Sequence, residues 1–424
     1  MPTRHPAPPL VPRATDCRCG RPVFFRNSQC LACKTALGYD PESARLLALE
    51  PVRQSALWRV VGARRGAPRY RRCANLAGPV GCNWLLPETD TSESGLCRCC
   101  RLTRTWPDLA VEQNREWVAR IATAQRRLLS ILIALGLPAW PAGVDPVLGL
   151  GFDLLRQPEG GAPVITGHAD GLITLDVAEA DDAEREQRRS ALHEPYRTLL
   201  GHLRHEVGHY YWQRLVDGSV WLAPFRDLFG DERADYAAAL AQHHGSGPPA
   251  DWGARHVSAY ASSHPWEDWA ETFAHYLHLV DTLDTARGFG VDGNQVELSY
   301  ERWSTADLVP EAAPEGTAAP DAGLPLSDPS AFIDLVNEWM ELTGVLNELS
   351  RSMGLADFYP FVLSRPALRK LHLVHRVVQA QRAVAPPGPR PGPVRPAGRT
   401  HEDESADPVG DGHSDAELAA RTGP

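Results

Sequence analysis

Two histidines four residues apart, His205 and His209, lie on one face of a segment that is predicted to be helical, and Glu206 stands beside the first of them. At this spacing both imidazoles can reach one metal ion. A carboxylate directly after the first histidine lies beside such a metal and not on it, which suits a base that takes a proton from a zinc-bound water. Because a five-residue pattern also arises by chance, the surrounding sequence must supply the rest of a site.

A catalytic zinc needs a third protein ligand and an open fourth position. Metzincins place a histidine six residues after the second one, but this chain has Leu215 there, which excludes that class. Gluzincins use a glutamate on a later helix, and Glu267 and Glu271 lie one helical turn apart. We predict that Glu267 is the ligand and that Glu271 accepts the other ring N–H of a histidine. The reversed assignment of these two glutamates stays open.

Hydrolysis of an amide also needs a hydrogen-bond donor for the oxyanion. Tyr260, seven residues before Glu267, is the first candidate, with a buried packing tyrosine as the equal alternative, and His264 is the second. His275 and His278 share the predicted helix of Glu267, but packing is the more natural interpretation for both. Other histidines that can in principle bind the metal are His243, His244 and His264.

The nine cysteines all lie between Cys17 and Cys100, so the later and larger part of the chain has none. Cysteine pairs at close spacing are typical of structural zinc sites, in which four thiolates surround the ion. Cys99 is then the odd thiol and is predicted to be free. The spacing leaves open whether two groups hold separate ions or cross-brace, and reduced cysteines without metal are the alternative. The two groups are Cys17, Cys19, Cys30 and Cys33, and Cys73, Cys82, Cys97 and Cys100.

The charge of the chain is distributed unevenly. The formal net charge is −10, yet residues 1–72 carry 14 basic and 4 acidic residues, which leaves −20 for the remainder. The basic start predicts docking of a protein or nucleic-acid partner, or a simple complement to the acidic remainder. No apolar run approaches the roughly 20 residues of a membrane span, and prolines interrupt the N-terminus where a signal sequence would stand. We therefore predict a cytoplasmic protein that does not contact a membrane.

Hydrophobic periodicity places the candidate metal ligands on helices. The two histidines lie on a helix predicted from about residue 195 to 216, and the candidate third ligand on one from 264 to 283. The segment 171–181 is predicted to be a strand, either an edge strand that pairs with an extended peptide or an interior strand. Acidic clusters at 179–186 and 230–236 are predicted to be solvated helix starts. Further helices are predicted at 112–136, 225–229, 231–244, 330–354 and 364–381, and a further strand at 147–155.

Composition divides the chain into four parts. The Pro-rich residues 1–16 and the Pro-rich and charged residues 383–424 are predicted to be disordered. Residues 17–105 contain all the cysteines and are predicted to form a zinc-ribbon module. Residues 106–382 are predicted to form the domain with the His-Glu-x-x-His pattern.

Several long motifs resemble one bacterial family. The stretches CGRPVFFRNSQCLACKTALGYDPE, EPYRTLLGHLRHEVGHYYW and SAYASSHPWEDWAETFAHYLH look like the zinc-ribbon-containing, zinc-binding metallopeptidases. This resemblance covers about residues 15–380 and implies an α+β fold, in which a mainly helical, zincin-like peptidase domain with a small sheet follows the ribbon module. The single residue between Cys17 and Cys19 departs from the family's usual spacing.

The spacing of Tyr260, Glu267 and Glu271 is similar to the lethal-factor type of gluzincin. That similarity implies the roles of oxyanion donor, third zinc ligand and histidine-orienting carboxylate, in that order. Together these features predict a zinc-dependent metallopeptidase that acts on a peptide or protein, with one catalytic zinc and one or two structural zinc ions. The alternative is a catalytically silent zinc-binding protein whose ribbon docks a protein or nucleic-acid partner.

Overall fold

Between residues 9 and 100 the chain forms short strands joined by turns and contains no α-helix, in keeping with its many prolines and glycines. The computed structural model describes residues 9–158, 160–191, 197–296, 300–309 and 328–384. The first two strands pair with each other, and the next five form an antiparallel sheet in chain order. These strands are β1 (Ala14–Asp16), β2 (Pro22–Phe24), β3 (Ala36–Asp40), β4 (Arg45–Pro51), β5 (Trp58–Val60), β6 (Arg69–Arg72) and β7 (Leu85–Pro87).

A four-stranded sheet lies beside the helices, in the order β10-β11-β9-β8. The middle strands β9 and β11 are parallel, and β10 is antiparallel to β11 at the edge. The segment predicted as a strand at 171–181 is therefore an interior strand, and β10 takes the edge position. The strands are β8 (Thr103–Thr105), β9 (Gly151–Leu155), β10 (Gly167–Ala169) and β11 (Leu172–Asp176).

Eight helices of the described residues complete the α+β fold that the sequence predicts. The helix with the two histidines begins one residue after Thr198, whose side chain accepts a hydrogen bond from the Gly201 amide and caps it. Residues 192–196, at the predicted start, lie outside the described part. The helices are α1 (Glu112–Ala134), α2 (Asp182–Ala191), α3 (Leu199–Leu215), α4 (Leu222–Phe229), α5 (Tyr236–Ser246), α6 (Pro265–Gly288), α7 (Pro329–Ser352) and α8 (Arg365–Val384).

Helices α3 and α6 pack closely because a glycine stands at their contact. A Cβ atom on Gly208 would lie 2.9 Å from the Cα of Ala270, so any larger residue would push the helices apart. The indole N–H of Trp269 donates to the Gly208 carbonyl at 3.0 Å and ties the two helices at the same level. Gly208 belongs to the His-Glu-Val-Gly-His run, so the motif itself permits the approach of the helix with the third candidate ligand.

The N-terminal segment is ordered from residue 9, which corrects the prediction of disorder over 1–16 for its described half. Val11 and Arg13 are buried, and the Val11 amide donates to Asp284 of α6 at 2.9 Å. Strand β1 then starts at Ala14. Residues 1–8 and 385–424 lie outside the described part, and α8 extends to Val384, beyond the predicted start of the tail.

One hydrophobic core joins the cysteine-rich half to the helical half. Trp84 of the ribbon and Trp269 of α6 belong to the same cluster of buried side chains, together with Phe152 of β9. Strand β8, the end of the predicted ribbon module, pairs with β9 and so contributes to the second sheet. Among the described residues, no helix combines the length and the apolar character that crossing a bilayer requires.

Candidate metal centre

Three buried side chains converge where α3 crosses α6: His205, His209 and Glu267. The Nε2 atoms of the two histidines are 3.1 Å apart, and Oε2 of Glu267 lies 3.0 Å from the first and 3.4 Å from the second. Donor atoms bonded to a tetrahedral zinc at about 2.0–2.1 Å are separated by about 3.3–3.4 Å. The Glu267 Oε2 atom is buried and accepts no hydrogen bond from the described residues. The donor set and its spacing therefore fit a zinc ion.

Glu271 lies on the far side of the first histidine. It accepts a hydrogen bond from Nδ1 of His205 at 2.7 Å and another from the Ser258 hydroxyl at 2.7 Å. Burial would raise the pKa of Glu271, but its interactions with His205, His275 and Ser258 together lower that pKa to about 2. The proton on Nδ1 leaves the Nε2 lone pair for a metal. This geometry favours Glu267 over Glu271 as the ligand.

Glu206 is paired with a histidine that the sequence analysis passed over. Its Oε1 lies 3.1 Å from Nε2 of His202, one helical turn earlier, and its buried Oε2 has no hydrogen-bond partner in the described structure. Nδ1 of His202 lies 3.6 Å from Glu179. Burial would lower the pKa of His202, but its contacts with both carboxylates raise it to about 9. The imidazole of His202 thus lies between two carboxylates and contacts Glu206 more closely. The spacing of His202 and Glu206 on one helix face was the available signal.

The prediction of solvated helix starts holds for most of the acidic cluster at 179–186, where Asp182 and Glu184 are exposed in the first turn of α2, but it is wrong for Glu179. Glu179, in the segment 179–186, is buried and paired with Arg188 at 2.7 Å and Arg197 at 3.0 Å. In the segment 230–236, by contrast, Asp231 pairs at the surface with the exposed Arg233. A buried carboxylate keeps its charge only with such partners, and these lie 9 and 18 residues further along the chain.

Tyr260 lies in a short 3-10 turn, Tyr260–Ser262, that faces the centre. Its ring centroid is 5.9 Å from that of His205, and burial raises its pKa, so the hydroxyl keeps its proton and can donate. His264, the second candidate donor, has both ring nitrogens engaged. Its Nδ1 accepts from the Trp266 amide, which caps α6, and its Nε2 lies 3.1 Å from the Ala234 carbonyl.

The remaining histidines do not join the metal-binding group that the described residues form. His275 is buried and bonded to the Tyr359 hydroxyl at 2.5 Å, and His278 contacts Arg204 at 2.7 Å, so both pack within the protein. His243 and its neighbour His244 lie on α5, where the ring of His243 is 5.8 Å from that of Tyr260.

The cysteines gather into two separate groups of four. The Sγ atoms of Cys17 and Cys33 are 3.6 Å apart, and those of Cys82 and Cys97 are 3.5 Å apart. Thiolates on a tetrahedral zinc with Zn–S bonds of about 2.3 Å are about 3.8 Å apart, so both groups fit such an ion. Each group contains the four cysteines expected from the spacing, including Cys19, and neither exchanges members with the other. Cys99 is buried outside both.

The purified protein is therefore expected to contain three zinc ions per chain. His205→Ala removes one donor of the helical centre and should lower the count to two, whereas Cys99→Ser should leave it at three. Elemental analysis of the two variants beside the wild type measures this directly. A loss of zinc on removal of Cys99, or a full count without His205, would contradict the assignment of the three sites.

Comparison with known families matches residues 113–377 to the family described as "Putative zinc-binding metallo-peptidase" and residues 14–111 to a zinc-ribbon domain. Uncharacterized proteins of Mycobacterium tuberculosis and Mycobacterium bovis are each 41% identical to the chain over 361 residues, which cover 85% of this chain and 93% of each relative. No solved structure matches the chain. Since the family match spans more than half of its length, the chain belongs to this zinc-binding metallopeptidase family.

Proposed function

We propose that this protein is a zinc-dependent peptidase of the gluzincin type, which hydrolyses peptide bonds with Glu206 as general base. The observation that carries the proposal is the convergence of His205 Nε2, His209 Nε2 and Glu267 Oε2 within 3.0–3.4 Å of one another. The carboxylate of Glu206 lies on α3 with the two histidines, and one of its oxygens has no hydrogen-bond partner among the described residues. When bound, zinc supplies Lewis-acid chemistry that acidifies water and polarises a carbonyl.

Glu206 holds and moves the proton in this proposal. Burial would raise the pKa of Glu206, but the hydrogen bond with His202 and the nearby histidines lower it. The side chain is therefore a carboxylate that can take a proton from the attacking water and pass it to the leaving amine. Nε2 of His202 contacts Oε1 of Glu206, so Oε2 is the oxygen that is available to accept the proton.

In this proposal Tyr260 and strand β10 bind the substrate. The protonated hydroxyl of Tyr260 can donate a hydrogen bond to the oxyanion that forms on the attacked carbonyl. Strand β10 pairs with β11 on one side and has no described partner strand on the other, and its His168 ring lies 6.5 Å from that of His209. An extended peptide that pairs with this edge would pass over the metal centre, with its backbone supplying the hydrogen bonds.

The proposal is tested by cleavage of a diverse peptide library with the purified, zinc-loaded protein. We expect cleavage that a chelator abolishes, that added zinc restores, and that His205→Ala lacks. The variant is the sharper control, since a chelator can also strip the cysteine sites. If the zinc-loaded wild type and His205→Ala leave the same peptides intact, the protein is a zinc-binding interaction protein instead.

A further inference from the structure

The two carboxylate oxygens of Glu267 have different surroundings. Oε2 faces the two histidine Nε2 atoms, whereas Oε1 accepts a hydrogen bond from the Tyr236 hydroxyl at 2.6 Å. We propose that Tyr236 is a positioning residue that holds Glu267 as a one-oxygen ligand of the metal. The inference rests on the proposed metal centre, and it adds a residue that neither the sequence motif nor the family match assigns.

Tyr236 reaches this carboxylate from a different part of the chain. It is the first residue of α5, a helix that Asp235 caps by accepting a hydrogen bond from the Ala238 amide at 3.0 Å. The preceding loop is anchored where the Ala234 carbonyl lies 3.1 Å from Nε2 of His264. Because Nδ1 of His264 accepts from the Trp266 amide, Nε2 carries the proton and donates to that carbonyl. The cap of α6 thereby also fixes the loop that presents Tyr236.

Packing does not explain the hydroxyl contact. Helix α5 has no buried residue, and Tyr236 itself is 39% exposed. Its ring touches the rings of His264 at 5.1 Å and Trp266 at 6.2 Å, and these contacts need no hydroxyl. The hydrogen bond to Glu267 is therefore not a consequence of ring packing. Its acceptor is Oε1, the carboxylate oxygen that does not face the histidines.

The consequence concerns the open position that a catalytic metal requires. With the hydroxyl removed, Oε1 of Glu267 loses its donor inside the protein, a loss that a second bond to the metal can offset. A carboxylate that binds through both oxygens raises the coordination number and competes with water and substrate. Partners of ligating carboxylates typically contribute about 10- to 100-fold to metal affinity or activity.

The test compares Tyr236→Phe with Tyr260→Phe, using cobalt(II) in place of zinc. Phenylalanine preserves the ring contacts, so both variants remain folded by circular dichroism. Cobalt in the cysteine sites absorbs equally in all samples, and the difference from His205→Ala isolates the helical centre. We expect Tyr236→Phe to weaken visible absorption at that centre, as an increase in coordination number does, and to change zinc affinity, measured by chelator competition, by about 10-fold or more. Tyr260 contacts the Tyr236 side chain, so Tyr260→Phe should lower turnover and shift the metal readouts less than Tyr236→Phe does.

Two results would overturn the inference. If Tyr236→Phe loses activity while its cobalt spectrum and zinc affinity equal those of the wild type, Tyr236 acts on the substrate and not on Glu267. If the wild type shows no cobalt band that His205→Ala removes, the proposed centre itself is absent, and the role of Tyr236 falls with it. Matching shifts in both metal readouts that are larger in Tyr236→Phe than in Tyr260→Phe support the assignment.

Discussion

Replacing Glu206 by glutamine is expected to lower peptide hydrolysis by about 10²- to 10⁴-fold, the range that general acid–base groups contribute. The amide oxygen of glutamine can still accept the hydrogen bond from His202, so the side chain keeps its place. It cannot take a proton from water. Glu206 is not among the three converging donors, so the zinc content should not change.

Initial rates on a cleaved library peptide, measured beside elemental analysis, separate these effects. Glu184→Gln is the matched control, because it makes the same chemical change at an exposed position of α2 and should behave as the wild type. Hydrolysis at the wild-type rate by zinc-replete Glu206→Gln would rule out Glu206 as the base.

Replacing Asp281 by asparagine is expected to destabilise the fold by about 3–5 kcal/mol, the typical effect of removing one partner of a buried ion pair. Asp281, on α6, accepts hydrogen bonds from Arg13 at 2.7 Å, Arg127 at 2.8 Å and Arg204 at 2.6 Å. The side chains of Arg13 and Arg204 are only 3% and 4% exposed. Without the carboxylate, at least two guanidinium groups remain buried without their anion.

Urea unfolding curves of the zinc-loaded protein measure this change. Glu88→Gln is the matched control, since it breaks an ion pair with Arg69 in which both side chains are about half exposed, and such pairs contribute less than about 1 kcal/mol. Equal losses of unfolding free energy in the two variants would show that Asp281 does not join the N-terminal segment to α3 and α6 in the way described.

The linkage through Asp281 also explains why the sequence misjudged the N-terminus. The residues around Val11 look like a Pro-rich disordered start, and nothing near them in sequence offers a partner. Their partners are Asp281 and Asp284, more than 260 residues away. A prediction of disorder from local composition fails where distant contacts offset the entropy lost on ordering the segment.

The chemistry of the centre was largely readable from short spacings. The rise and pitch of an α-helix place residues four apart on one face, whatever the rest of the chain does. That rule predicted a shared face for His205 and His209, and it also predicted the turn between Glu267 and Glu271. Close cysteine spacing predicted the thiolate groups in the same way, although it left their separation into two sites open.

Contacts between elements needed the tertiary structure. The sequence did not show whether the strand at 171–181 lies at an edge or in the interior of its sheet. It also gave no role to His202, Glu179 or Tyr236. The contacts of these residues depend on how helices and strands pack against one another. Packing involves residues from the whole chain, and a short stretch of sequence does not contain them. The sequence by itself thus determined which side chains carry the metal-binding and proton-transfer chemistry that we propose. Only the close approach of α3 and α6, permitted at Gly208, decided that those side chains meet and which neighbours hold them in place.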